Sequence, residues 1–174
     1  MNVLLCVACG RRLTEPVRQL DALPAYPEWD GRRGPDGRRH GPARLPRGAY
    51  VVDPLPYGAP FVPCPEEDRD TYDGAVPGGM WMSDERGLLL SAGPRGTYVL
   101  HPRDVVDLAF HPDSSRLGGC CGPSGDQGVN RVCTCGAEVA IVAADCSGGY
   151  ETRLVPDAVR VAPADAVVRG EPAP

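Results

Sequence analysis

Two short cysteine turns constrain this chain more than any other feature: Cys6-Val7-Ala8-Cys9-Gly10 near its start and Cys133-Thr134-Cys135-Gly136 near its end. A Cys-x-x-Cys bend presents two sulfurs on one side of a tight turn, so two such turns can surround one tetrahedral metal ion. Glycine after the second cysteine of each turn permits a positive φ, which lets the chain double back. If both turns share an ion, the fold must join segments that stand 123 residues apart, counted between Cys9 and Cys133. Closing such a loop costs roughly 4 kcal/mol. Structural zinc returns roughly 10 to 16 kcal/mol.

A rival assignment joins Cys120 or Cys121 to the Cys133/Cys135 turn across a short loop, at a closure cost of roughly 2 kcal/mol. That difference leaves the assignment open, and the matching form of the two turns favours Cys6, Cys9, Cys133 and Cys135. Cys133-Thr134-Cys135 is one residue shorter than the usual bend, which predicts some distortion on that side. Four thiolates on a divalent ion carry a charge of −2, and Arg11, Arg12 and Arg131 stand close in sequence to offset it.

Between the turns, Gly119-Cys120-Cys121-Gly122 opens a stretch with further glycines at 125 and 128. A phosphate cradle needs a strand before such a loop and a lysine-bearing helix after it; neither is readable. The glycines instead predict a compact loop around a second metal site, with Cys120 or Cys121, Cys146 and His111 as candidate ligands. Neighbouring side chains diverge on an extended backbone, so one of the adjacent cysteines is expected to face elsewhere. His40, His101 and Cys64, each beside a proline or in a turn-rich stretch, are read as non-ligands.

The segments MNVLLCVACGRRLTEP and CCGPSGDQGVNRVCTCGAEVA, with Ala-Asp-Cys at 144–146 and Asp-Ala-Val at 157–159, resemble a group of uncharacterised actinobacterial cysteine-rich, zinc-ribbon-like proteins. These share an N-terminal Cys-x-x-Cys-Gly and a Cys-Cys-Gly segment leading into a second knuckle. The likeness covers mainly the two ends of the chain. Members carry Cys-x-x-Cys at the second knuckle, where this chain has Cys133-Thr134-Cys135. The resemblance implies bound zinc and brings no activity with it.

The rest of the chain offers little material for a core. Of 174 residues, 22 are Gly and 20 are Pro, against two Phe, two Trp and six Tyr. The expected fold is mostly β with short helical turns, an irregular, loop-rich single domain over 1–165 stapled by the cysteine cluster. Strands are predicted at 2–7, 12–14, 49–53, 61–63, 79–82, 87–90, 97–100, 129–133, 138–144, 151–155 and 158–162, each bounded by turn residues. A helical turn is predicted after Thr14, read as an N-cap, with Val17, Leu20 and Leu23 at a spacing of three. The segment DVVDLAF at 104–110 fits neither period. Residues 31–48 hold six Arg, one Asp and eight Gly or Pro, which predicts a solvated, disordered loop. The Ala/Pro-rich end from Ala162, and 166–174 above all, is expected to be mobile.

A net charge of −5 disfavours general nucleic-acid or membrane-surface binding. No apolar run reaches the length of a signal core or a membrane span, so a reducing cytoplasm is expected, where eight cysteines read as metal ligands before disulfides. The expected function is a non-catalytic zinc-binding protein, an interaction or accessory module for an unidentified protein partner. Two alternatives stand beside it: a thiol-based redox or metal sensor using Cys120 and Cys121, and a nucleic-acid-binding zinc ribbon using the Arg32 to Arg47 patch. No nucleophile elbow, Walker loop or dinucleotide fingerprint is present, so no catalytic or organic-cofactor residues are expected.

Overall fold

Short runs of β-branched and aliphatic residues between glycines and prolines become twelve strands in a computed structural model, which describes residues 1–34, 37, 39–67, 82–85, 87–146 and 148–168. In chain order they are β1 (Asn2–Cys6), β2 (Arg18–Gln19), β3 (Ala49–Asp53), β4 (Phe61–Pro63), β5 (Met82–Asp84), β6 (Gly87–Ser91), β7 (Thr97–Leu100), β8 (Leu108–Phe110), β9 (Arg131–Cys133), β10 (Glu138–Ala143), β11 (Glu151–Leu154) and β12 (Val159–Pro163). The expectation of a mostly β, loop-rich chain with short helical turns holds. The helical elements include three 3-10 turns, at Pro102–Asp104, Ser114–Leu117 and Pro156–Ala158, and one α-helix, α1 (Ala164–Val168). None is long and apolar enough to cross a membrane.

Seven strands form the main sheet in the order β2-β3-β7-β11-β10-β9-β8, β4-β6-β5 form a second, and β1 pairs with β12 in a third. The β1–β12 pair runs antiparallel from Asn2↔Pro163 to Cys6↔Val159. It lays its inner face on the main sheet: Leu4, Cys6, Leu13, Val17 and Val159 pack with Tyr50, Leu100, Cys133, Val139 and Leu154 in one buried cluster. Two of the metal-ligand candidates are therefore core residues.

The predicted helical turn after Thr14 does not form. Thr14 is fully buried, and its hydroxyl accepts the Leu4 backbone N–H at 3.0 Å instead of capping a helix. Val17 exchanges backbone hydrogen bonds with Asn2 at 2.7 and 2.8 Å, and β2 runs parallel to β3. Strand partners and burial of Leu13 and Val17 outweigh a spacing preference worth tenths of a kcal/mol per residue. DVVDLAF resolves into the end of a 3-10 turn and then β8, with Asp107 at φ 54 between them.

The arginine-rich loop is anchored over its second half. Leu45 is buried, Gly48 N–H donates to the Asp104 carboxylate at 2.7 Å, and Arg47 pairs with the same group. The Arg44 guanidinium lies 4.0 Å from the centre of the Tyr26 ring and 3.9 Å from Glu151 Oε2. Asp104 and Glu151 are themselves buried, and such carboxylates need cationic partners; composition alone hides that demand. At the C-terminal end, Ala162 is buried in β12 and α1 extends to Val168, while the predicted tail beyond it and the strand residues 79–81 lie outside the described residues.

Candidate metal centre

The first knuckle leaves β1 at Cys6. Its N–H donates to the Arg11 carbonyl and Gly10 N–H returns to the Cys6 carbonyl, both at 2.8 Å. The second knuckle links β9 to β10 in the same manner: Cys133 N–H donates to Ala137 O, and Gly136 N–H to Cys133 O, again at 2.8 Å. The second closing bond spans three residues where the first spans four. The shorter Cys-x-Cys bend thus makes a tighter turn rather than a distorted one. Gly10 at φ 71 and Gly136 at φ 90 make both reversals possible.

The fold brings all four predicted sulfurs together. Cys6 Sγ lies 3.8 Å from Cys135 Sγ and Cys9 Sγ lies 3.6 Å from Cys133 Sγ, with all four within 4.8 Å of one another. A disulfide needs about 2.05 Å, and all eight cysteines are free thiols. Cys6 and Cys133 are buried, whereas Cys9 and Cys135 are exposed. The cluster therefore has an inner pair built into the core and an outer pair at the surface, and it can hold a metal ion.

Crowding sets the thiol chemistry. Burial pushes the Cys6 thiol above its ordinary value, though backbone N–H groups of Cys9 and Ala8 pull the other way. At Cys133 burial also raises, but the Cys135 N–H and the Cys9, Cys135 and Cys6 side chains win and bring the thiol down to about 7. At Cys9 the Arg11 N–H lowers, and desolvation with the hydrogen bonds to Cys135, Cys133 and Cys6 carries the thiol up to about 12. One sulfur ionises readily and its neighbours then hold their protons, since like charges this close oppose one another. A divalent cation reverses that balance. The arginines expected to offset the site are engaged elsewhere: Arg11 reaches Asp107 at 3.8 Å, Arg12 reaches Glu15 at 3.8 Å, and Arg131 lies over the Phe110 ring at 3.9 Å.

A second cluster forms from Cys120, Cys121 and Cys146, whose sulfurs also lie within 4.8 Å of one another. Both adjacent cysteines take part, contrary to the expectation that one turns away. Their backbone is bent rather than extended: Asp145, buried in the β10–β11 connection, accepts the N–H groups of Cys120 at 2.5 Å and Cys121 at 3.4 Å on one carboxylate oxygen. Gly119 and Gly122 are required by close approach, because a Cβ at 119 would strike Gly122 O and the Asp145 carboxylate, and one at 122 would strike Ala144 O. His111 is not brought to this cluster. Its Nε2 meets Glu138 at 3.0 Å and its Nδ1 accepts the Asp113 N–H at 3.0 Å. Cys64 is buried, with its sulfur 3.5 Å from Pro65 O. His40 stacks on Tyr150 at 3.8 Å, and His101 caps the 3-10 turn through Arg103 N–H.

The strand pattern at β11 conceals a polar core that sequence reasoning missed. Glu151 and Arg153, two residues apart, share one face of the strand. There Arg153 bonds Glu151 at 2.6 Å and Asp53 at 2.7 Å and covers the Tyr57 ring at 3.9 Å. Glu-Thr-Arg in an otherwise apolar region was the available signal. Thr152 points to the opposite face. No protein-family model, curated protein or solved structure matches the chain. The functional reading therefore rests on the cysteine clusters themselves.

Proposed function

We propose that Cys6, Cys9, Cys133 and Cys135 hold one zinc ion, and that the protein is a zinc-stapled β scaffold working as a non-catalytic interaction module in a reducing compartment. The observation that carries this reading is the sulfur spacing. With Zn–S bonds of about 2.3 Å, the edge of a regular tetrahedron is about 3.8 Å, and two of the sulfur pairs stand at 3.6 and 3.8 Å. Four sulfurs fill a tetrahedral ion completely, and structural zinc is closed in this way whereas catalytic zinc keeps a position for water. Two knuckles on facing hairpins support the ribbon description.

The nucleic-acid alternative loses ground, because Arg44 and Arg47 are turned to internal carboxylates and the chain is acidic overall. Metal analysis of protein purified without added zinc tests the proposal. Cys9→Ser should weaken zinc binding and lower the melting temperature. A zinc-free wild type that melts at the same temperature with and without added zinc refutes it.

A further inference from the structure

Cys120 and Cys121 form part of the wall of a cavity of about 770 Å³ that also reaches Arg131 on β9, Phe110 on β8, and Tyr150 and Thr152 at β11. Three features of this cavity lack an internal explanation. Thr152 is fully buried, and its hydroxyl has no hydrogen-bond partner among the described residues. A buried hydroxyl left unpaired costs about 1 to 3 kcal/mol, a cost that a polar ligand atom reaching it would relieve. Arg131 is half-buried; its guanidinium stacks on Phe110 and bonds only a backbone carbonyl, with no carboxylate against it among the described residues. A desolvated cation without a counter-ion is costly and suits an anion supplied from outside. Finally, the sulfur cluster at the cavity offers three ligands where a tetrahedral ion takes four.

We propose that Cys120, Cys121 and Cys146 bind a second thiophilic divalent metal ion whose fourth coordination position opens on the cavity and takes a small oxyanion, a carboxylate or phosphate group, held by Arg131 and Thr152. Each thiol gives its proton to solvent on binding, leaving a centre of charge −1. Such a centre attracts no anion unaided. The cavity supplies the missing charge through Arg131, with Arg33 and Arg39 further along the wall. Open coordination by three protein ligands is the arrangement found in exchangeable or catalytic sites, as distinct from the closed four-sulfur cluster. The Asp145 carboxylate holds the backbone N–H groups of Cys120 and Cys121 and meets the Cys146 thiol. This site stands whether or not the knuckle ion is zinc.

Titration of reduced, metal-free protein with Co²⁺ tests the assignment through its visible absorption. Wild type should bind two equivalents. Cys146→Ser should bind one and retain the four-sulfur spectrum, which doubles as proof that the fold survives; if that variant loses both, Cys121→Ser is judged by the same criterion. Inorganic phosphate or acetate, compared with equal chloride, should shift the bands of the second equivalent only, and Arg131→Ala should weaken that response about tenfold. A response to only one of the two anions identifies which oxyanion the cavity takes. Binding of one equivalent in wild type, unchanged in Cys146→Ser, overturns the metal site. A second equivalent whose bands ignore both anions overturns the open position.

Discussion

Replacing the inner or outer cysteines of the knuckle cluster separates metal binding from core packing, because the two pairs differ in burial. Cys9 is exposed and Cys6 is fully buried among Leu4, Leu13 and Val159. In metal-loaded protein, Cys9→Ser and Cys6→Ser both lose one of four ligands. If structural zinc contributes roughly 10 to 16 kcal/mol, an even share is about 3 to 4 kcal/mol. For a domain of this size each kcal/mol moves the melting temperature by about 2 to 4 °C, so Cys9→Ser should melt roughly 10 °C lower and Cys6→Ser at least as much. In chelated protein the two should diverge. Cys9→Ser becomes a surface substitution within about 0.5 kcal/mol of the chelated wild type. Cys6→Ser still places a hydroxyl in the core, at about 1 to 3 kcal/mol. Calorimetry of both variants with zinc and with chelator reads the four values. An equal cost for Cys9→Ser in the two conditions refutes the metal reasoning, whatever Cys6→Ser does.

Gly136→Ala meets no atom within 4 Å but must hold φ 90, so denaturant unfolding should show a loss of about 1 to 2 kcal/mol from backbone conformation alone. Arg153→Met leaves Glu151 and Asp53 buried without their cation and should cost about 3 to 5 kcal/mol, with part regained at low pH as the carboxylates take up protons. Because the Cys6 and Cys9 thiols are raised, Cys9 to about 12, the metal-free cluster holds protons that an ion must displace. Knuckle affinity measured by chelator competition should therefore fall as pH falls, most steeply below about 7, where Cys133 also takes a proton. Brief trypsin treatment should cut at the exposed Arg32 and Arg33 before Arg44, whose side chain is 15 % exposed and which precedes buried Leu45; early cleavage at Arg44 would show that the docked half of the loop opens readily.

The strands, the four-sulfur cluster and part of the three-sulfur one were legible because they rest on local patterns. AYVVD, FVP and TYVL match β3, β4 and β7 at both ends, each run being stopped by glycine, proline or aspartate. The knuckle sulfurs were legible because a metal ion demands four ligands and the two turns have the same form. What stayed hidden depends on partners distant in sequence. Thr14 looks like a helix cap until Leu4 is seen to need its hydroxyl. The arginine-rich loop looks solvated until the buried Asp104 and Glu151 appear beneath it. Thr152 and Arg131 look ordinary within their strands, and only the β8, β9 and β11 surfaces together bring them to one cavity.

The two clusters also differ in what surrounds them, and that difference bears on the roles proposed for them. The knuckle cluster ties β1, which belongs to the small sheet, to β9 of the main sheet, and its inner sulfurs pack in the largest buried cluster. Release of an ion bound there would expose the seam between sheets, and so would be coupled to opening of the core. Cys120, Cys121 and Cys146 sit in loops, the first two exposed, and their geometry is set by one carboxylate and two glycines rather than by sheet packing. An ion there can leave while every strand stays paired. The proposed closed centre inside the core would maintain the scaffold, and the proposed open one beside the cavity would be free to exchange its fourth ligand.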